Sequence, residues 1–384
     1  MPLHSGWRSG IFSYKLLFWQ KLHFSMSIHN THCFCLHTLI CTALFCGLLL
    51  FFQPLFAQTT AQKQAAQDRK NLNEAMVLTA KAWLQSLTPA QTAKARFPFH
   101  DAERTNWNNL PPQSFTRNGL QVSELEEEQL KAFHQMLRAG LSQQGYLKAM
   151  GIISRELVFR QQLFRRLAPQ DTARYFYGPT YYWVSIFGEP DVAKPWGWRF
   201  EGHHLSLNFT LEGDRIDVTP TFWGVNPSEI EEGPYVGTSI MYEEQHKIRS
   251  LIALLSPKQQ ALSALNYPMP NDIEARTGNE PYLASYHGLP YKQMEAAQQE
   301  KIDYVIAAYL QNFTRPIALA YEENLTPKNK GELHFTWALS ENGSLHYRIH
   351  GPGLLIELNN RTFEPNHIHS VWRAPGRDFG RKPR

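Results

Sequence analysis

The hydrophobic period of this chain changes near Tyr175, and that switch limits the available folds more than any motif does. Before it, residues 62–165 read mostly as helices. A first helix is expected near Lys63 to Leu87. Leu130, Phe133, Met136 and Leu137 then recur at helical spacing behind a capping-box pattern, Ser123-Glu-Leu-Glu126, and a further helix fits Tyr146 to Phe164. After the switch the period is two. Tyr181 to Phe187 is strand-like, and His203 to Leu211 is expected to pair with Arg215 to Thr221 across Glu212-Gly213-Asp214. Helical spacing returns with Met241, Glu244, Ile248, Leu251, Ile252 and Leu255, and again over Tyr291 to Phe313. Strands close the chain: Glu332 to Leu339 and Leu345 to His350 around Asn342-Gly343, then Leu354 to Leu358 and His367 to Trp372. Elements that come in blocks, without strict alternation, predict an α+β fold in which a helical N-terminal half packs on a largely antiparallel sheet.

The amino terminus points to export. An apolar block from Leu39 to Phe52 has signal-peptide length and ends in Gln53-Pro-Leu-Phe-Ala57, where Ala57 and Leu55 make an acceptable cleavage site. Residues 1–57 are therefore expected to be a signal peptide, starting at Met1 or Met26, and residues 58–384 a single α+β domain in the periplasm or outside the cell. The alternative is an uncleaved anchor from about Leu36 to Phe56, which would make this segment the only contact with a membrane. Cys33, Cys35, Cys41 and Cys46 all precede the cleavage site, so the mature domain is expected to use neither disulfides nor thiol chemistry.

A formal net charge of only +4, carried by scattered basic residues, excludes the electrostatic footprint of nucleic-acid binding. Aromatic residues make up 13% of the chain, with ten Trp, and suggest a broad core with an aromatic-walled cleft for a small or anionic substrate.

Two strings carry candidate chemistry. In the first, Trp196-Gly-Trp198-Arg199-Phe-Glu201-Gly-His203-His204-Leu-Ser-Leu-Asn208, a period of two places His203, Glu201 and Arg199 on the face of Leu205 and Leu207. His204 then looks along a polar face with Ser206 and Asn208, and the plainer reading makes that face solvated and His203 a core histidine. In the second, Asn366-His367-Ile-His369-Ser-Val-Trp-Arg373, two imidazoles stand roughly 6.5 to 7 Å apart along a strand and can converge on one ion. Glu357, inside the apolar run Leu355 to Leu358, needs a partner: a metal shared with those histidines, or an Arg such as Arg348 or Arg373. His346, Arg348 and His350 alternate on their strand opposite Tyr347 and Ile349. Glu244 falls on the apolar face of its helix, and the segment Phe97 to Trp107 is dense in polar groups. No serine nucleophile elbow, P-loop, dinucleotide fingerprint or zincin motif is present.

These strings, with Ile186-Phe-Gly-Glu-Pro190, Tyr347-Arg-Ile-His-Gly-Pro352 and Asp378-Phe-Gly380, resemble the bacterial and fungal family known as domain of unknown function 3500. The resemblance covers nearly all of the chain after the export segment. It implies an exported protein and brings no activity with it. Leu358-Asn-Asn-Arg361 and Ala374 depart from the family pattern, which has an acidic, amide-rich run after the Glu and an Asp after the Arg.

The residues support a metal-dependent enzyme, most simply a hydrolase, with a divalent ion (Zn, Fe or Cu) on His367, His369 and Glu357. His203 or His204, with Glu201, would serve as further ligand or base, Arg199 or Arg373 as anion clamp, and Trp196, Trp198, Asn208, Tyr347 and Arg348 as substrate contacts. The alternative is a non-catalytic periplasmic protein that binds a ligand in a His/Arg/Trp-lined cleft.

Overall fold

The structure is a computed structural model that describes residues 34–278, 285–360 and 364–381, with side chains from residue 60 onward. The chain divides into two units, Met1–Thr60 and Ala61–Arg384. Helix α1 runs over Phe34–Ser86, and the described strands all belong to the second unit. The candidate export segment before Gln58 lies outside the residues whose side chains are described. Among the described residues, no helix is long and apolar enough to cross a membrane.

Helices dominate the N-terminal part: α2 (Pro89–Ala95), α3 (Glu127–Gly140) and α4 (Gln143–Arg166) follow α1. Ser123 does not cap α3. It lies in a 3-10 turn over Val122–Glu124, and the helix starts one step later, where Gln129 Oε1 accepts the Glu126 N–H at 2.9 Å. The same three-residue spacing recurs there, and the later frame wins because its Gln129 also donates to Ser86 O at 2.8 Å and ties α3 to α1.

The strands form one sheet. Short β1 (Arg96–Phe97) and β2 (Leu120–Gln121) precede β3 (Tyr182–Phe187), β4 (Trp196–Gly202), β5 (Leu205–Glu212), β6 (Arg215–Asp217) and β7 (Thr221–Val225). Helices α5 (Tyr242–Leu254), α6 (Pro257–Ser263), α7 (Ala296–Leu310), α8 (Arg315–Glu322) and α9 (Pro327–Gly331) intervene, with β8 (Leu289–Pro290) between α6 and α7. The chain closes with β9 (His334–Leu339), β10 (Leu345–Gly351), β11 (Leu354–Asn360) and β12 (Ile368–Arg373). The order across the sheet is β1-β3-β4-β5-β7-β12-β11-β10-β9-β8, with β2 on β3 and β6 on β5. Every pairing is antiparallel except β1 with β3, so the fold is α+β on a largely antiparallel sheet.

The two faces of this sheet are chemically opposite. One carries Trp198, Phe200, Leu207, Phe209, Trp223, Trp372, Ile356 and Tyr347, packed against Met76, Trp83, Phe133, Met136, Ile152, Leu251, Val305 and Ile317 of the helices. The other carries Arg199, Glu201, Ser206, Asn208, His369, Glu357, Asn359, His346 and Arg348, and it is buried as well. Its cover is irregular chain. Glu103 N-terminally, Pro270 to Ala275 centrally and Phe379 C-terminally reach over it, around a small apolar knot of Trp107, Phe222, Ile273, Ala275, Leu355, Val371 and Phe379. The solvated polar face that alternation suggests is thus replaced by a covered one.

Two placements are corrected by the β4–β5 hairpin. His203 and His204 form its turn, so the period of two does not run through them. The register Arg199↔Asn208 and Glu201↔Ser206 then puts Arg199 and Glu201 on the polar face, and leaves Trp196 and Trp198 in the helix-side core. Phe209 lies stacked on Trp198 with centroids 4.0 Å apart and meets Phe313 edge-on at 5.8 Å. We expect Phe209→Ala to cost about 3 to 5 kcal/mol of unfolding free energy in urea denaturation, the range for emptying a buried aromatic site.

Candidate metal centre

Four histidines meet where β5, β7 and β12 end. His203 and His204 come from the β4–β5 turn, His367 immediately precedes β12, and His369 lies within it. Gly224 of β7 stands between the two pairs: its N–H donates to His204 O at 2.7 Å, and it pairs with His369 across the sheet. A Cβ there would sit 3.0 Å from His204 Cδ2 and 3.2 Å from His369 Cδ2, so a bare backbone is what lets the rings close up.

The ring nitrogens are sorted into two sets. His204 Nδ1 lies 2.7 Å from Glu156 Oε1, His367 Nδ1 2.8 Å from Glu364 Oε2, and His369 Nδ1 2.6 Å from Asp272 Oδ1. A carboxylate only accepts, so each Nδ1 donates to its own, and the Nε2 of each ring in its neutral form is left with a lone pair. Those lone pairs face one another: Nε2 of His367 is 3.0 Å from Nε2 of His204 and 3.0 Å from Nε2 of His369. Around a tetrahedral ion with Zn–N of 2.0 to 2.1 Å, neighbouring nitrogens stand about 3.3 Å apart, so these two separations are close to what a cation would set. His203 stacks on His204 with centroids 3.7 Å apart, its Nδ1 3.6 Å from Glu156 Oε1. One nitrogen from each of the four lies within 4.8 Å of the others.

The electrostatics favour ligation. Burial alone would raise the Glu156 carboxyl, but the adjoining imidazoles of His204 and His203 override it and hold it at about 2. Burial, with His204 alongside, pushes His203 down to about 3 against the pull of Glu156, so its ring is neutral and able to coordinate. Imidazole-only donors suit Zn, Fe or Cu, and the histidine–carboxylate pairs are the usual outer support of such ions.

The remaining predicted residues stand elsewhere. Glu357 does not join the histidines. On β11 it faces Val371, one step along from the Asn359↔His369 pair, and its oxygens take Arg348 Nη2 at 3.0 Å and the N–H groups of Glu274 and Ala275 at 3.0 and 2.7 Å. Arg348 also holds Glu274 at 2.9 Å. Glu274, His346 and Glu357 form a second acidic-imidazole group, but the guanidinium on both carboxylates already supplies the positive charge. Arg373 pairs with Asp378 at 2.7 Å, and Arg199 with Glu103 and Glu201. Asn208 donates to Pro220 O at 2.8 Å, and the Tyr347 hydroxyl meets that of Tyr309 at 3.3 Å. With Trp196 and Trp198 in the core, these side chains build ion pairs and packing, and they do not line a common cleft. Glu244 is a buried partner of Lys148. Of the departures from the family pattern, Asn359 binds Pro270 O and the Ala374 N–H donates to Asp378, while Arg361 lies outside the described residues.

Sequence reasoning missed Glu156, Asp272, Glu364 and Gly224. Glu156 follows Ile152 and Ile153 on the buried stripe of α4, a detectable sign of a carboxylate needing a partner. Glu364 precedes His367 by one helical-type step. Asp272 arrives on irregular chain and leaves no periodic signal.

The fold and site thus define an α+β protein with a buried four-histidine cluster braced by three carboxylates. The protein-family profile described as Protein of unknown function (DUF3500) matches residues 69–381, and the chain belongs to that family. No curated protein and no solved structure matches it.

Away from the cluster, burial pushes His346 and His350 each down to about 4. Between pH 6.5 and 4 the unfolded chain therefore takes up protons that the folded one refuses, so stability is full above 6.5 and falls as pH is lowered through that window. Urea midpoints across it should decline, and His346→Asn should flatten the decline.

Proposed function

We propose that this chain is a metal-dependent hydrolase acting on a small or anionic substrate outside the cytoplasm. The observation that carries the reading is the convergence of three Nε2 atoms, each on a ring whose Nδ1 is bound by its own carboxylate. Three histidine ligands with a remaining position are a common catalytic arrangement, in which a bound divalent ion supplies a water acidic enough to ionise near neutrality. His204, His367 and His369 would hold the ion. His203, whose Nδ1 is buried without a hydrogen-bond partner among the described residues, would either complete the ligand set or take a proton beside it. Phe159 and Tyr177 lie 6.5 and 5.2 Å from the His203 ring and limit the water around it. The Glu364 side chain, 55% exposed, places the outer edge of the His367 ring one carboxylate from solvent.

The burial of all four rings, at 1 to 6% exposure, favours a second reading in which a closed ion serves stability alone. Elemental analysis and cobalt substitution separate the two. Purified protein should carry one equivalent of metal, lost in a folded His367→Ala/His369→Ala variant and weakened at least about tenfold by Asp272→Asn or Gly224→Ala. Perturbation of the cobalt spectrum by azide supports the open, catalytic ion, whereas an inert spectrum supports the structural one. Metal-free protein after growth with Zn, Fe and Cu would defeat both.

Export rests on the Leu39–Phe52 block and the Ala57 site. Intact-mass measurement of the protein recovered from cells should give an amino terminus at Gln58 in the periplasmic or extracellular fraction; a cytoplasmic chain retaining its first residues would refute it.

A further inference from the structure

Arg104 lies in the 3-10 turn Ala102–Thr105, inside the polar segment between Phe97 and Trp107. Its neighbour Glu103 is consumed by Arg199, but Arg104 has no carboxylate of its own among the described residues. Its Nη1 donates to neutral oxygens, Phe379 O at 2.8 Å and Thr210 Oγ1 at 3.4 Å, its buried Nε has no hydrogen-bond partner among the described residues, and the guanidinium lies 4.5 Å above the Phe99 ring. A half-buried cation left without a counter-charge is costly.

The guanidinium borders a cavity of about 280 Å³ whose wall includes Phe99, His100, Thr210, Phe379 and Arg381. Arg215 and Asp217 also reach it, but the charge of Asp217 is already met, by Arg215 Nε at 2.7 Å and Arg377 Nη2 at 2.7 Å. Glu212 remains as the only other acid of the wall, and it is exposed. Arg104 and Arg381 thus face one cavity as like charges, and both burial and Arg381 lower the Arg104 pKa. The local backbone is bent to make this arrangement. Phe379 adopts a left-handed φ of 56°, uncommon for an aromatic residue, and its carbonyl is the one that holds Arg104. The missing Cβ of Gly380, which would come within 2.5 Å of Thr210 Cγ2, lets the turn close against β5.

We infer that this cavity binds a phosphate group, as inorganic phosphate or on a small phosphate ester, between Arg104 and Arg381 and against Phe99 and His100. Two guanidinium forks suit a tetrahedral oxyanion, and the cavity leaves room beside it for the organic part of a small ester. The site is separate from the histidine cluster and does not depend on a metal there.

Isothermal titration with inorganic phosphate at low salt tests it, on the wild-type chain and on Arg104→Met, Arg104→Lys, Arg381→Met and His367→Ala/His369→Ala variants, each checked for folding by thermal melt. One saturable site is expected. It should persist in the histidine variant, weaken at least about tenfold in Arg104→Met, and recover in part in Arg104→Lys. Arg381→Met alters a residue at the chain's edge and gives the same reading should Arg104→Met not fold. Non-saturable heats with the wild type, or affinity unchanged in both Met variants, overturn the inference. Binding lost only in the histidine variant assigns phosphate to the other cluster and overturns it equally.

Discussion

Covering a polar sheet face is feasible only if every charge on it meets an opposite charge or a hydrogen-bond partner, because an unpaired buried ion costs several kcal/mol or more. The second unit depends on that condition being met. Arg199 lies between Glu103 and Glu201, Glu357 between Arg348 and two backbone N–H groups, Arg373 against Asp378, and His204, His367 and His369 each against its own carboxylate. Removing one member would leave its partner charged in a dry place, so each ion pair ties the covering loops to this face.

The two covers do different work. The helix layer closes an apolar core in which Trp198, Phe209, Phe313 and Trp372 meet ring to ring, and that core fixes the strand register. The loop layer contributes acids and backbone N–H groups at single points: Glu103, Asp272, the 274–275 N–H groups and Asp378. The histidine cluster draws on both. Glu156 reaches it from α4 and Asp272 from the opposite side, which pins the rings from two directions.

Much of the fold was legible because it rests on periodicity. The helices around Phe133 and Ile152, the strand Tyr182–Phe187 and the closing strands all follow from apolar spacing. His367 and His369 were legible as a pair for the same reason. What periodicity cannot convey is what happens at a turn. Carrying alternation through Gly202 and His203 reversed the faces of Arg199 and Glu201, and the Trp residues then looked like cleft walls when they are core. Nor does it convey where irregular chain returns. Glu357 looked like a ligand because nothing local reveals that the 274–275 backbone and Arg348 arrive first, and Asp272 could not have been named at all.

The histidine cluster also sets an order of events. His204 and His367 are 163 positions apart, and the strand that seats them side by side, β7, pairs with both of their neighbours. The convergence of His204 with His367 and His369 is complete only once β5, β7 and β12 have aligned. An ion bound there, as proposed above, would therefore report that the most distant segments of the sheet have found each other.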